Sequence, residues 1–142
     1  MAFRALNFEE GRLVRLPVAA ATMVKGDAMV DNGSGFLTPA TGGNGTQIEY
    51  IAAATVATTP TEGDLHDFYR VGPSVRISAD CDAAPAQTDV GTYCDLAAAG
   101  SLNPDASTDD LFYIESIDLA GGAVGTSTVV TGYFTQGAPG VE

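Results

Sequence analysis

Tryptophan is absent from this 142-residue chain, and lysine and histidine occur once each, at Lys25 and His66. A single histidine leaves a Ser-His or Cys-His nucleophile only one place to be built, and no serine sits in a G-x-S-x-G elbow. His66 therefore reads as a solvated loop residue, and the chain as no enzyme. Cysteine is scarce too. Cys81 and Cys94 have a spacing that fits no zinc or redox motif, and one histidine cannot complete a metal set with them. The expectation is no metal and no cofactor. The two thiols are either buried and free or joined in a disulfide, which would need an oxidising exterior. No uncharged apolar run is long enough to span a bilayer, and Glu9 and Glu10 interrupt the stretch that a signal peptide would need. The expected chain is soluble, without a cleaved export signal and without a membrane partner.

Bases are the next shortage. Six stand against eighteen acids, for a formal net charge of -12. Such a surface repels nucleic-acid phosphates and anionic membranes, which argues against nucleic acid as a partner. Two readings of the acidity stay open: an ordinary acidic protein, or one adapted to high salt, where screening relieves self-repulsion. The few bases are unevenly placed. Residues 1–15 hold Arg4, Arg12 and Arg15 against Glu9 and Glu10, a formal charge of +1, and the rest of the chain carries -13. Phe3, Leu6 and Phe8 lie between these charges with no alternation that marks a strand. Residues 1–12 thus read as an N-terminal arm. It is either a loose end or a binding segment in which Phe3, Arg4, Leu6, Phe8 and Arg12 dock on a neighbouring subunit.

What the chain has in quantity is glycine, with 17 residues, alongside seven prolines and many short Val, Thr, Tyr and Phe runs. Long helices suffer from that mixture, whereas short strands joined by tight turns use it. The expected fold is all-β, a small β-barrel or β-sandwich, with one domain over residues 13–135 and a tail over 136–142. Leu13 to Ala21 reads as a strand whose Pro17 implies an edge position or a bulge. Asn32-Gly33 between apolar runs predicts a hairpin, because both residues tolerate positive φ. Ile48 to Val56 is β-compatible, although its three consecutive alanines suit a helix equally well. Asp67–Val71, Ser74–Ser78 and Val90–Leu96 read as strands, and Ala97–Asp110 as a long loop. Leu111-Phe112-Tyr113-Ile114 reads as a central strand, and Ser127–Phe134 closes the fold.

The loops offer little chemistry. Gly42, Gly43 and Gly45 are not followed by the Lys-Ser/Thr that would hold a phosphate. Asn103 to Asp110 carries oxygen side chains at alternate positions, as a calcium loop does. It lacks the central glycine, and its closing position is Ile114, so a polar turn is expected instead. Asn32-Gly33-Ser34 and Asn44-Gly45-Thr46 match a glycosylation sequon, a pattern short enough to arise by chance.

Four strings in order carry a resemblance: LPVAAATMVKGDAMV, NGSGFLTPAT, YRVGPSV and GTYCDLAAAGSLNPDASTDDLFYI. Together they resemble the small capsid decoration, or head-stabilising cement, proteins of tailed viruses. In that family a strand precedes a K-G-D turn and a hairpin, and a V-G-x-x-V strand and a G-x-x-x-D-L region follow. The likeness covers residues 13–135 and leaves the arm out. It implies a compact β-barrel or β-sandwich that assembles as a homotrimer on the outer surface of an icosahedral virion after synthesis in the host cytoplasm. The major capsid protein would be its partner, and no catalytic residue is carried over. The alternative expectation is a receptor- or carbohydrate-binding β-module of a virion fibre or spike. Such modules usually display clustered aromatics for sugar stacking, and this chain has few aromatics and no tryptophan.

Overall fold

Period-two alternation of buried and outward side chains is clearest in Val129–Phe134, where Val130, Gly132 and Phe134 point inward and Val129, Thr131 and Tyr133 outward. The computed structural model describes residues 3–5, 13–41 and 48–136. These residues form strands β1 (Phe3–Ala5), β2 (Leu13–Pro17), β3 (Ala28–Asp31), β4 (Leu37–Pro39), β5 (Tyr50–Ala52) and β6 (Leu65–Arg70). They continue as β7 (Ile77–Asp80), β8 (Tyr93–Ala98), β9 (Ser101–Asn103), β10 (Phe112–Ile117) and β11 (Val129–Phe134). The only helical elements among them are two single 3-10 turns, at Gln87–Asp89 and Leu119–Gly121. The fold is all-β.

The strands divide into two antiparallel sheets. One runs β1-β7-β11-β10-β8-β9 and the other β2-β6-β5-β3-β4. Each curls until its ends meet at one parallel bridge. In the first, Cys81, directly after β7, bridges Leu102 on β9; in the second, Val18, directly after β2, bridges Leu37 on β4. The first sheet is thereby nearly closed as a barrel. Strands β1 and β9 both face β7, at Ile77–Ala79 and at Cys81 respectively. Closure removes most of the unpaired edge that short strands would otherwise expose. Inside the barrel, Phe3, Phe112 and Phe134 pack ring against ring, with centroids 5.0–6.3 Å apart. A second apolar cluster, with Val18, Met23, Met29, Leu37, Ala52 and Phe68, fills the interior of the other sheet.

Most expected elements are present, with shifted limits. The hairpin at Asn32-Gly33 joins β3 to β4, with Asp31 opposite Leu37. Gly33 and Gly35 have φ of 92° and 90°, and the Asp31 carboxylate accepts hydrogen bonds from both of their N–H groups, at 2.7 and 3.2 Å. The loop is longer than a two-residue turn because Asp31 and Asn32 side chains supply acceptors across it. Pro17 ends β2, which is the edge strand of its sheet apart from the Val18 bridge. Strand β10 is interior, between β11 and β8. Other expectations are corrected. Ser74 and Val75 belong to a turn, closed by Val75 N–H to Gly72 O at 3.0 Å, and β7 starts only at Ile77. The span Ala97–Asp110 is not all loop, since it contains β9. His66 is not on a loop; it lies half-buried on β6 opposite Leu16.

The largest correction concerns the arm. Residues 3–5 form β1, paired with β7 from Phe3–Ala79 to Ala5–Ile77. Alternation explains it once a sheet edge is offered: Phe3 turns into the barrel and Arg4 turns out. The expected tail over 136–142 and the Asn44 sequon lie outside the described residues, save Gln136.

Candidate functional site

Of the five residues proposed for docking, Phe3 and Arg4 are among the described residues. Phe3 is 2% exposed, in contact with Phe112 and Phe134, so its ring is used by its own core and is not available to a neighbour. Arg4 lies on the outer face of the sheet, 3.3 Å from the Asp80 carboxylate, and donates to Ser78 Oγ at 3.1 Å. Leu6, Phe8 and Arg12 lie outside the described residues.

Cys81 and Cys94 are both buried and free. Strand β9 separates them in the sheet: Cys81 bridges Leu102, and Leu102 pairs in turn with Leu96 on β8, the strand of Cys94. Burial pushes the Cys81 thiol up to about 12, helped by the neighbouring Asp82, Asp80 and Asp89. Burial raises Cys94 as well, with Cys81 and Asp95 adding to the effect. Both are protonated, apolar-packing groups at neutral pH.

The outer face of the six-stranded sheet carries the most organised surface. Tyr93 on β8, Tyr113 on β10 and Tyr133 on β11 stand at matched registers, each directly opposite the next. Their ring centroids are 5.1 Å apart at both steps; Tyr113 and Tyr133 stack at 27°, and Tyr93 tilts at 58° to Tyr113. The guanidinium of Arg76 sits 5.4 Å over the Tyr133 ring. Its Nε lies 2.8 Å from Glu115 Oε1, a buried oxygen on which no donor is aligned, so charge rather than a directed hydrogen bond holds that pair. The Tyr133 hydroxyl is shifted upward by desolvation, then by Tyr93, Tyr113 and Glu115, against a lowering by Arg76. The result is a cross-strand ladder with an arginine closing one end.

At the other end, Tyr93 borders a shallow groove lined by Asp89, Gly91, Thr92, Pro104, Asp105, Ser107 and Asp110. The wall of this groove is built on Asp95. That carboxylate, 5% exposed, accepts three backbone hydrogen bonds, from Thr108 at 2.8 Å and from Asp109 and Asp110 at 2.8 and 2.9 Å. The would-be calcium loop thus wraps a buried carboxylate of its own, with Asp110 drawn into positive φ at 52°. Among the described residues no group of three His, Cys, Asp or Glu is placed to hold a metal. Composition and spacing gave no sign of either the ladder or the Asp95 anchor. The signal for the ladder is an aromatic on each of three strands, and it is readable only once their registers are known. A second cleft, of about 350 Å³, opens on the other sheet with Leu16, Met29, Leu37 and Tyr50 among its walls and Asp31 and Glu49 beside them.

Comparison with protein-family models, with curated proteins and with solved structures finds no match to this chain.

Proposed function

We propose that the chain is a structural virion protein that binds the outer surface of an icosahedral capsid and stabilises it, a decoration or cement protein acting as a homotrimer on the major capsid protein. The observation that carries this reading is the tyrosine ladder with Arg76. Tyrosine and arginine are the side chains that dominate protein–protein hot spots, and here they are held rigid across three strands of a nearly closed barrel. The resemblance adds weight from the other direction. Its strings cover β2 through β4, the end of β6, and β8 through β10. Strands β5, β7 and β11 lie outside these strings. A flat aromatic face on a small closed scaffold suits a protein whose work is to hold other surfaces together.

One observation favours the alternative, a receptor- or carbohydrate-binding module of a fibre: three of the five tyrosines form a single row. Sugar stacking uses open ring faces, however, and here Tyr113 and Tyr133 cover each other and Arg76 sits over Tyr133, which leaves Tyr93 as the unstacked ring of the row. Quantitative mass spectrometry of purified virions separates the two readings. Hundreds of copies per particle are expected for a shell component, a few copies would point to a fibre, and absence would sink both. Light scattering of the purified chain should report a trimer, and a stable dimer would contradict the assembly proposed.

A further inference from the structure

Three features of the tyrosine face combine at its Tyr93 end. Tyr93 is 45% exposed, Tyr113 and Tyr133 are half-buried, and the adjoining groove carries the carboxylates of Asp89, Asp105 and Asp110. The ion pairs Arg4–Asp80, Arg15–Asp67 and Arg76–Glu115 involve none of these groove carboxylates. We infer that this face docks an extended, lysine- or arginine-bearing segment of a partner protein, laid across the tyrosine row with its cationic end in the groove beside Tyr93. The inference rests on the reading that the chain works by binding protein surfaces, and adds which face is used and what chemistry meets it.

The geometry limits the occupant. Three adjacent strands span roughly 10 Å, the length of about three residues of extended chain. The faces of Tyr113 and Tyr133 are engaged by their mutual stacking and by Arg76, so these two offer ring edges and hydroxyls, while Tyr93 stands tilted and 45% exposed. Hydroxyls at this spacing bond to backbone carbonyls and amides of a crossing strand, and ring edges pack against the aliphatic stems of lysine or arginine. Because each tyrosine is already fixed by its neighbour, little side-chain freedom is lost on docking. The charge sets the sign of the partner: the groove is acidic, and the whole chain at -12 draws a basic segment in from a distance and turns an acidic one away.

Fluorescence anisotropy of the full chain at about 0.1 M salt tests this with three labelled probes: a hexapeptide of alternating lysine and tyrosine, its counterpart with glutamate for lysine, and cellohexaose. The lysine peptide should bind, and its amide-shift footprint should fall on residues 89–93, 105–113 and 131–133. Tyr93→Ser should weaken binding by about tenfold, and so should the double variant Asp105→Asn with Asp110→Asn. Both variants alter exposed side chains, and their amide spectra report whether the fold is intact. Equal binding of the glutamate peptide would overturn the inference, as would undiminished binding by both variants, which would mean diffuse attraction to an acidic chain. A footprint produced by cellohexaose alone would assign the face to sugar. A chain abundant in virions that fails all three probes would lose this inference and keep the decoration reading.

Discussion

Gly33, in the loop between β3 and β4, has a φ of 92° and no atom within 4 Å of an added Cβ, which isolates the conformational cost of a side chain there. Gly33→Val should therefore lower stability by about 1–2 kcal/mol, seen as a lower denaturation midpoint, while Gly33→Asn should lose less. An unchanged midpoint for the valine variant would show that the turn does not need positive φ. Gly132 was not legible, because its constraint comes from a different strand: an added Cβ would fall on the Tyr113 carbonyl oxygen. Asp95 was equally hidden, since nothing within β8 announces that three amides from residues 108–110 will converge on it. Asp95→Asn replaces one acceptor oxygen by a donor and leaves at least one of those amides unpaired, at a cost of about 1–3 kcal/mol. Hydrogen exchange should accelerate at Thr108, Asp109 and Asp110 while β10 and β11 keep their protection. Unaltered exchange at those amides would mean that the carboxylate does not hold the loop.

Among the elements, strand existence was easier to read than strand limits or partners. The runs that became β10 and β11 are apolar and rich in Val, Tyr and Phe, so local propensity and tertiary demand agree there. Strand β9 is three residues long and sits in a turn-rich stretch, and its pairing with β8 and its bridge to Cys81 make it a strand. Strand β1 is the instructive miss. Phe3-Arg4-Ala5 has no periodicity of its own length to detect, and its place depends on an edge that β7 supplies far along the chain. The consequence for truncation is direct. Deleting residues 2–10, which as a loose arm would leave the β domain unaffected, should instead uncover Phe112 and Phe134 and destabilise the barrel. Phe3→Ala, which keeps the backbone pairing, should cost about 3–5 kcal/mol in urea unfolding. A variant as stable as the parent chain would detach β1 from the core.

For the molecule as a whole, the fold class was legible from composition, while the arrangement of a barrel-like sheet beside a second sheet was not, because it rests on pairings and single bridges between residues distant in sequence. Charge and burial make opposite demands on solution conditions. If the acidity reflects adaptation to salt, the melting temperature should climb from low to molar sodium chloride, and a flat response would reject that reading without touching the proposed function. Alkali acts through the buried thiols. Cys81 ionises near 12 in the folded chain against 9.0 when exposed, and Cys94 is raised too. Above pH 9 the unfolded chain therefore gives up protons that the folded chain retains, and stability falls as pH rises toward 12. Tyr50 and Tyr133, both shifted upward, add to the same decline at its upper end. Urea midpoints taken at half-unit steps across this window should decrease steadily, and a level profile would contradict the burial of the thiols. The seat of Phe3 has a further consequence, for synthesis. Its ring partners belong to β10 and β11, so on the ribosome an early-made phenylalanine waits without a socket while nearly all of the described chain is added. Strand-by-strand assembly from the first residue onward is closed to such a chain, and the barrel takes shape late, when a strand made near the end supplies the place for one made at the beginning.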